Sequence, residues 1–442
     1  MHFNKTLLLL WASCLLLLIP SSQAAPGGLD LGFGSLGKTV TNFNAQFDEC
    51  FGVVQQSTGK LVAVGLAGVT PTDTDFGLSR YNTNGALDTT FGTSGKVYTN
   101  FGGRDSALDA VLLPEDKVLA VGRAFTGVGA DFALAKYLSG GALDTTFGFN
   151  GKVMTDFNMG ADQGRAVAIQ PDGKIVVTGV AGVVNNGSNI GDIGLARYFS
   201  NGTLDPSFGV GGKTTTDIND SEQGTGIVIQ PDGKIVVCAE SGSGPGISEF
   251  YLIRYTSNGI LDTSFNSIGY VSTSVTGFYD QPHDLVIQPD GKLIIGGLVG
   301  FDFGLLGDFG MVRYHPNGTL DTTFGTFGVV ITDFANSLDM GWALTLQPDG
   351  KIILVGQVSG GFLTGCNAFC YGVMRYSANG ILDASFSGDG MATAKFVLQG
   401  ADIARSVLVQ SDGKVVACGG TAHLVNMDGT IRGDFGLARF HG

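Results

Sequence analysis

Short apolar segments separated by polar turns run along almost the whole chain, and one pair of segments recurs. In residues 166–170 and 174–179 the apolar positions flank the turn Pro171-Asp-Gly173. This arrangement predicts two antiparallel strands joined by a tight hairpin. The same hairpin recurs at residues 230–234, 288–292, 347–351 and 410–414, and in eroded form at residues 56–60 and 113–117. The chain therefore contains seven copies of this hairpin.

Two further patterns recur in the same order as the hairpin. One is Leu-Asp-x-x-Phe, whose acid falls at Asp30, Asp88, Asp144, Asp205, Asp262, Asp321 and Asp383. The other is a basic residue before an aromatic one, at Arg80, Lys136, Arg197, Arg254, Arg313, Arg375 and Arg439. Three patterns that each occur seven times establish an internal repeat of about 60 residues.

Each repeat contains four candidate strands. In the third repeat they are residues 166–170, 174–179, 194–198 and 213–217. Helical periodicity with capping signals is absent from the sequence, and the 71 glycines suit many short strands and tight turns. Four antiparallel strands repeated seven times are typical of a β-propeller. We therefore predict an all-β, seven-bladed β-propeller of four-stranded antiparallel blades.

The phase of the repeat predicts how such a ring closes. The last repeat ends after its third strand, residues 434–440, and lacks a fourth strand. The chain begins with an isolated fourth strand at residues 38–43. We predict that this N-terminal strand pairs with the last blade and closes the ring.

The combined pattern QPDGK, DFGLARY and NGxLDxxFGxxGK resembles the bacterial delta-60 repeat, a propeller-type repeat of uncharacterised function. In strand order it also loosely resembles NHL repeats. The resemblance covers the chain beyond its first two dozen residues. It implies a propeller fold and an exported protein, and it supplies no catalytic residues.

The first 24 residues are predicted to be a secretory signal peptide. Lys5 precedes an apolar stretch that ends at Pro20, and Ser22-Gln-Ala24 offers small residues for cleavage. Residues 25–442 would then form a single propeller domain. No other apolar stretch approaches the ~18 residues that a membrane span needs. We expect a secreted protein (periplasmic, cell-surface or extracellular) without a membrane span.

The net charge disfavours one class of partner, and the cysteines indicate whether disulfides form. The net charge of −14 argues against nucleic acid as a partner, because phosphates would be repelled. Cys366 and Cys370 share one loop and are the best disulfide candidates, which export would permit, although both could equally be free thiols. We expect a monomer.

One acid per repeat lies eight residues before the hairpin glutamine or its equivalent, Leu113. These acids are Asp48, Asp105, Asp162, Glu222, Asp280, Asp339 and Asp402. They precede the innermost strand, and should therefore ring one mouth of the central channel. We favour a structural role, in which each carboxylate accepts backbone N–H bonds, over a calcium or steering role, and we expect no cofactor. A second acid, such as Asp75, is expected to pair within its blade with the base before the aromatic, such as Arg80.

The loops between the second and third strands vary in length and should emerge on the same face as these acids. Variable loops on a rigid scaffold are the usual place for recognition. On that face we expect candidate binding residues at Phe278, Tyr279, Asp280, His283, Phe301, Phe303, Trp342 and Phe362. They would form a stacking platform for a sugar or peptide, or else pack between blades.

The function expected from the sequence is that of an extracellular binding module for an unknown carbohydrate or protein ligand. The alternative is a propeller enzyme, a lyase or hydrolase, that acts on a polysaccharide. Among the histidines of the predicted mature chain, only His283 lies near carboxylates, Asp280 and Asp284, at the predicted channel mouth. No catalytic residues are assigned, and nucleophile-elbow, P-loop and HExxH motifs are absent.

Overall fold

The computed structural model describes residues 25–442 except 45–46, 71, 126, 128, 158–159, 186–187, 219–220, 243–247, 302–306, 361–365, 367–368, 397–399 and 426–430. The predicted signal peptide lies outside these residues. The described residues form 28 β-strands and one short 3-10 helix, Pro114–Asp116, with no α-helix. This part of the chain holds no helix with the length and apolar character needed to cross a bilayer.

The strands are β1 (Lys38–Thr41), β2 (Glu49–Gln55), β3 (Leu61–Thr70), β4 (Asp73–Tyr81), β5 (Lys96–Thr99), β6 (Ser106–Leu113), β7 (Lys117–Phe125), β8 (Ala130–Tyr137), β9 (Lys152–Thr155), β10 (Gln163–Ile169), β11 (Ile175–Asn185), β12 (Ser188–Tyr198), β13 (Lys213–Thr216), β14 (Glu222–Ile229), β15 (Ile235–Gly242), β16 (Ser248–Tyr255), β17 (Tyr270–Thr273), β18 (Tyr279–Ile287), β19 (Leu293–Phe301), β20 (Asp308–Tyr314), β21 (Val329–Thr332), β22 (Met340–Leu346), β23 (Ile352–Val358), β24 (Cys370–Tyr376), β25 (Met391–Ala394), β26 (Ala401–Val409), β27 (Val415–Val425) and β28 (Ile431–Phe440).

Hydrogen bonding groups these strands into antiparallel sets of four. Five sheets have the orders β2-β3-β4-β5, β6-β7-β8-β9, β10-β11-β12-β13, β22-β23-β24-β25 and β26-β27-β28-β1. The sixth sheet has eight strands, and consists of the sets β14 to β17 and β18 to β21 joined by one parallel pair, Ser248 with Tyr279. The predicted all-β architecture of four-stranded antiparallel sheets is confirmed.

The tight hairpins form where the sequence predicts them. In the third repeat the N–H of Gln170 donates to the carbonyl of Lys174 at 2.8 Å, and the N–H of Gly173 donates to Gln170 at 2.8 Å. Gly173 has a φ of 84°, a left-handed conformation that glycine adopts without a steric penalty. This turn sets the register of β10 against β11.

The first and last parts of the chain lie together. Strand β1 pairs with β28 in a register that places Lys38 opposite Ala438 and Thr41 opposite Phe435. The first strands of the sets, β2, β6, β10, β14, β18, β22 and β26, lie side by side in chain order, and β26 also lies against β2. A disulfide joins Cys50 of β2 to Cys418 of β27, with Cα atoms 6.1 Å apart.

The apolar core lies between consecutive sets rather than at one central place. One cluster joins Val64 and Phe76 of the first set to Ala120 and Ala133 of the second. Another joins Phe33 and Cys50 near the start of the chain to Val416 and Leu437 near its end. Each set therefore buries its faces against its two neighbours, as flat sheets that cannot cover themselves must do.

Buried tyrosines connect consecutive sets by hydrogen bonds. Tyr198 Oη donates to Thr155 Oγ1 of the preceding set at 2.9 Å, and burial raises the pKa of this phenol. The same Tyr–Thr bond recurs for Tyr81, Tyr137, Tyr255, Tyr314 and Tyr376. In the last repeat the corresponding positions are Phe440 and Ala394, so both the donor and the acceptor are replaced by apolar groups.

The expected pairing of Arg80 with the second acid of its repeat, Asp75, is wrong. Arg80 Nε donates to Asp88 of the Leu-Asp-x-x-Phe pattern at 2.8 Å, and the guanidinium lies 4.7 Å from the ring centroid of Phe91. The Asp88 carboxylate also binds Lys60, at 2.7 Å. Asp75 Oδ1 is buried without a hydrogen-bond partner among the described residues.

Candidate functional site

Every first strand contains a β-bulge at one position. In β10, for example, the register against β11 shifts between Gly164 and Ala166, which leaves Arg165 unpaired. Equivalent shifts occur in β2, β6, β14, β18, β22 and β26. The bulged residues are Phe51, Leu108, Arg165, Thr225, His283, Trp342 and Arg405, which we call the bulge ring. Bulges re-aim side chains and are frequent beside functional sites.

The bulge ring surrounds a cavity of about 140 Å³. All seven of its side chains line this cavity, together with Gln163. Each of the seven residues is partly exposed, whereas the apolar residues of β3 and β11 around them are buried. One residue comes from every first strand, so all seven strand sets contribute to this cavity.

Half of the bulge ring forms a continuous stack. The rings of His283 and Trp342 are parallel within 13° and their centroids are 4.0 Å apart. The Arg405 guanidinium lies 3.9 Å from the Trp342 ring centroid and 5.7 Å from that of Phe51. Two groups this close to one ring must occupy opposite faces, so both faces of the indole are covered. Arg405 is held in place by its Nε bond to Glu49, at 2.8 Å.

Arg165 lies outside this stack and carries a charge that has no ion-pair partner among the described residues. Arg165 Nε is buried and has no hydrogen-bond partner among the described residues. The nearby acid whose field reaches Arg165 is Glu240, but the amides of Gln223 and Gln281 already bind its carboxylate at 2.6 and 2.7 Å. Trp342 Nε1 is likewise buried and unpartnered within the described chain. Arg165 and Trp342, which both line this cavity, therefore each have a buried N–H group without an acceptor among the described residues.

His283 is a neutral imidazole with one free nitrogen. Its Nδ1 lies 2.5 Å from the carbonyl of Gly341, so Nδ1 carries the proton and Nε2 is the acceptor. Burial, together with repulsion from Arg405 and Arg165, lowers the pKa of His283 to about 4, against the opposing effect of the bond to Gly341. The neighbouring Asp284 accepts the backbone N–H groups of Leu344 and Leu285 rather than bonding to the imidazole. Asp280 is also bound elsewhere, so no acid–base pair with His283 forms.

The acids that begin or precede each first strand are bound by backbone groups of their own surroundings. Asp162 accepts the N–H groups of Phe157 and Gly182 at 2.6 and 2.7 Å. The corresponding donors are Phe43 and Gly68 for Asp48, Phe101 and Phe125 for Asp105, Val275 and Gly300 for Asp280, and Phe334 and Ser359 for Asp339. Glu222 accepts from the N–H of Ile218 and the hydroxyl of Ser241, and Asp402 accepts from the N–H of Phe396 and the hydroxyl of Thr421. Each carboxylate thereby ties the loop that enters its strand to the end of the second strand.

Burial raises the pKa of several of these acids. It raises the pKa of Asp48 and Asp339 to about 7 and that of Asp105 and Asp162 to about 6, against the opposing effect of the N–H donors. Three acidic groups place carboxylate oxygens within 4.8 Å of one another: Asp131, Asp156 and Asp162; Asp192, Asp217 and Glu222; Asp308, Asp333 and Asp339. At Asp402 a lysine takes the place of the middle acid, and Lys395 Nζ lies 3.4 Å from the carboxylate.

The predicted aromatic platform is divided in the structure. His283 and Trp342 stack in the bulge ring, whereas Tyr279 and Phe301 face each other on β18 and β19. Phe278 is exposed, and Phe303 and Phe362 lie outside the described residues. Asp280 is fully buried and saturated by hydrogen bonds. Trp342 offers no stacking surface to a ligand, because His283 covers one face of its indole and Arg405 covers the other.

Two larger grooves, of about 750 and 640 Å³, lie away from the bulge ring. One is lined by Lys213 and Ile260, and the other by Val329 and Ile381, which are the equivalent residues two repeats later. Because the repeat itself produces these grooves, they do not single out a ligand. The smaller cavity of the bulge ring takes one residue from each repeat, and these residues differ in type.

The bulge ring was only partly anticipated from the sequence. His283 and Trp342 were candidates, but Phe51, Leu108, Arg165, Thr225 and Arg405 were missed. The signal was present, because each of these residues lies three positions after the acid of its repeat. The variation in residue type at this one repeat position would have identified the ring. The Cys366–Cys370 disulfide is formed in the structure, with Cα atoms 5.6 Å apart, and of the described cysteines Cys238 is free.

Comparison with protein families identifies one match. A family model described as a domain of unknown function (DUF5122) beta-propeller matches residues 56–91, 114–147, 170–208, 230–265, 288–324 and 347–386. Together these segments make up half of the chain. No curated protein sequence matches the chain.

Solved structures with similar folds are distant in sequence. The extracellular domain of the putative one component system BT4673 from B. thetaiotaomicron is 14% identical with a TM-score of 0.46, and the match covers 91% of this chain and 40% of that one. The chain thus spans less than half of that relative. An inactive virginiamycin B lyase from Staphylococcus aureus is 10% identical (TM-score 0.46, coverage 90% and 98%), and a PL25 ulvan lyase is 11% identical (TM-score 0.49, coverage 86% and 93%).

Proposed function

Because the chain belongs to the DUF5122 β-propeller family, we propose that it is a secreted, monomeric, seven-bladed propeller that acts as an extracellular binding module. Its ligand, a carbohydrate or a protein, binds at the bulge ring, on the face that the sequence predicts to hold the variable loops. The blades are the seven strand sets, and the N-terminal strand β1 closes the ring by completing the last blade.

Three observations support the seven-bladed ring. The seven first strands neighbour one another in a cycle that returns from β26 to β2. Strand β1 completes the set that contains β28, although hundreds of residues separate the two strands in sequence. The Cys50–Cys418 disulfide links the same two ends of the chain. The disulfides also support secretion, because such bonds persist in oxidising compartments.

The bulge ring is the observation that carries the binding function. The position three residues earlier holds an acid in every repeat, as expected for a group that stabilises the blade. The bulged positions instead hold two arginines, a tryptophan, a histidine, a phenylalanine, a leucine and a threonine. A scaffold alone would not need such different side chains around one cavity. This diversity is typical of a recognition site built on a repetitive frame.

One observation favours a second candidate, a lyase or hydrolase that acts on a polysaccharide. His283, whose Nδ1 donates to the Gly341 carbonyl, lines a cavity that Arg165 and Arg405 also line. An imidazole base beside cationic groups suits proton abstraction from an acidic substrate. Replacement of His283 by glutamine should abolish turnover if the protein is an enzyme, and should leave catalysis-independent binding measurable.

The experiment is a screen of purified residues 25–442 against glycan and extracellular-protein arrays. A Leu108→Trp variant fills the cavity without removing a charge or a hydrogen bond. The matched control is Leu138→Trp, since Leu138 is an exposed residue in the turn after β8. Binding that is lost in Leu108→Trp and retained in Leu138→Trp supports the proposal. Binding that survives in both variants contradicts it.

A further inference from the structure

We infer that the bulge ring binds a carboxylate group, with Arg165 and the indole N–H of Trp342 as its donors. This inference rests on the proposed binding function and specifies the ligand class. It follows from four features of the cavity: its unpaired donors, its local charge, its size and the hydrogen bonds that nearby carboxylates already accept.

The first feature is the pair of unsatisfied donors. A buried N–H without an acceptor costs about 1–3 kcal/mol relative to one that is hydrogen-bonded, so native proteins contain few of them. Here two such groups, Arg165 Nε and Trp342 Nε1, belong to residues that line the same cavity. Both are donors only, so a ligand that satisfies them must supply acceptor atoms.

The second feature is the charge of the cavity. Arg165 and Arg405 both line it, and no acidic side chain does. Glu49 neutralises Arg405 through the 2.8 Å bond to its Nε, but no carboxylate lies within ion-pair distance of Arg165 among the described residues. The cavity therefore contains a guanidinium without an ion-pair partner among the described residues, in a protein whose net charge is −14. A guanidinium and a carboxylate form paired hydrogen bonds of matching geometry.

The third feature is size. A cavity of about 140 Å³ holds roughly four or five water molecules at about 30 Å³ each. It accommodates a carboxylate and the carbons attached to it, such as the acidic end of a uronic acid, and not a whole oligosaccharide.

The fourth feature is that the acids near the ring are already engaged. Glu240 is held by Gln223 and Gln281, and Asp284 by the backbone of Leu344 and Leu285. Asp109 accepts the N–H groups of Val167 and Ala110. Each of these carboxylates is held in place by its own donors, and none forms an ion pair with Arg165 among the described residues. A monoanion from outside can therefore bind without competition from within.

The test is isothermal titration of residues 25–442 with sodium glucuronate, glucose, sodium acetate and sodium sulfate at constant ionic strength. Glucuronate and glucose differ chiefly by the carboxylate. We expect glucuronate and acetate to bind, and glucose and sulfate to bind at least about tenfold more weakly. Acetate as tight as glucuronate means that the carboxylate alone is recognised, and tighter glucuronate binding adds a contribution from the sugar.

Two variants locate the site. Arg165→Met should weaken glucuronate binding about tenfold or more. Trp342→Phe should weaken it about threefold to tenfold, because the indole N–H is lost together with part of the stacked ring. The control Arg104→Met removes an exposed arginine and should change nothing. Arg165→Met should fold at least as stably as the parent, because it removes a buried charge without a partner.

Glucose or sulfate bound as tightly as glucuronate, or Arg165→Met with unchanged affinity, would overturn the inference. The same holds if no carboxylate binds to the folded protein. These failures are distinct from failure of the proposed function. An array ligand that is lost in Leu108→Trp but is insensitive to Arg165→Met keeps the binding module and rejects the carboxylate.

Discussion

Removal of the Cys50–Cys418 disulfide should destabilise the protein far more than removal of Cys366–Cys370. The first bond spans 368 residues of sequence and the second spans 4. Constraint of the unfolded chain by such loops is worth about 6 and about 2 kcal/mol at 25 °C, respectively, in the chain-entropy model. The four cysteines are all buried, so the double alanine variants lose similar side-chain contacts. The expected difference in unfolding free energy is therefore about 4 kcal/mol.

The assay is urea unfolding of residues 25–442, followed by circular dichroism and by tryptophan emission. Coincident transitions by the two probes indicate that a single unfolding free energy is meaningful. Cys50→Ala/Cys418→Ala should have a clearly lower midpoint than Cys366→Ala/Cys370→Ala. Equal losses in the two variants would refute the idea that the long disulfide stabilises the junction between the first and last sets.

Three further predictions follow from the contacts of the fold and the site. Tyr198→Phe leaves the Thr155 hydroxyl without its donor and should lower the free energy of unfolding by about 1–3 kcal/mol. The double variant Tyr198→Phe/Thr155→Val should recover much of this loss, because Phe440 and Ala394 replace the same pair in the last repeat. No recovery in chemical unfolding would contradict this reasoning. The melting temperature should rise as the pH falls from about 8 to about 5, because folding raises the pKa of Asp48, Asp339, Asp105 and Asp162, so the folded state binds more protons in this window. It should fall again below about pH 4, because hydrogen bonds from Ser207 and Ser264, together with ion pairs, hold the pKa of Asp205 and Asp262 at about 2 against the opposing effect of burial, and this stabilisation is lost as the two groups protonate. Calorimetry across the pH range that shows a monotonic rise toward pH 8 would contradict the first part. Quenching of Trp342 emission by protonated His283 should have its midpoint near pH 4, and a midpoint near the ordinary value of about 6.5 would show that the stacked imidazole is not held neutral.

The repeat patterns were sufficient to predict the architecture. Pro-Asp-Gly at residues 171–173 fixes a hairpin through local geometry, and local signals of this kind survive without knowledge of distant contacts. The four-stranded antiparallel sheets and the propeller repeats are accordingly confirmed. The seven-bladed closed ring and the secretion of the protein remain predictions.

The chemistry of the site depended on contacts that the sequence does not reveal. Arg165 is a ring residue because β10 shifts its register there, and a shift depends on the partner strand rather than on local composition. Cys50 and Cys418 share no spacing rule, and only the meeting of the two chain ends brings them together. The pairing of Arg80 with Asp88 likewise follows from the turn after β4, which places the acid beside the guanidinium.

The most direct test of the binding site uses Trp342, because it is the only tryptophan in residues 25–442. Emission at tryptophan wavelengths from this chain therefore reports on the bulge ring alone. Titration with the ligand found by the array screen, or with glucuronate, should change this emission with the dissociation constant that calorimetry gives. Calorimetric binding with no change in Trp342 emission would place the ligand elsewhere and contradict the account.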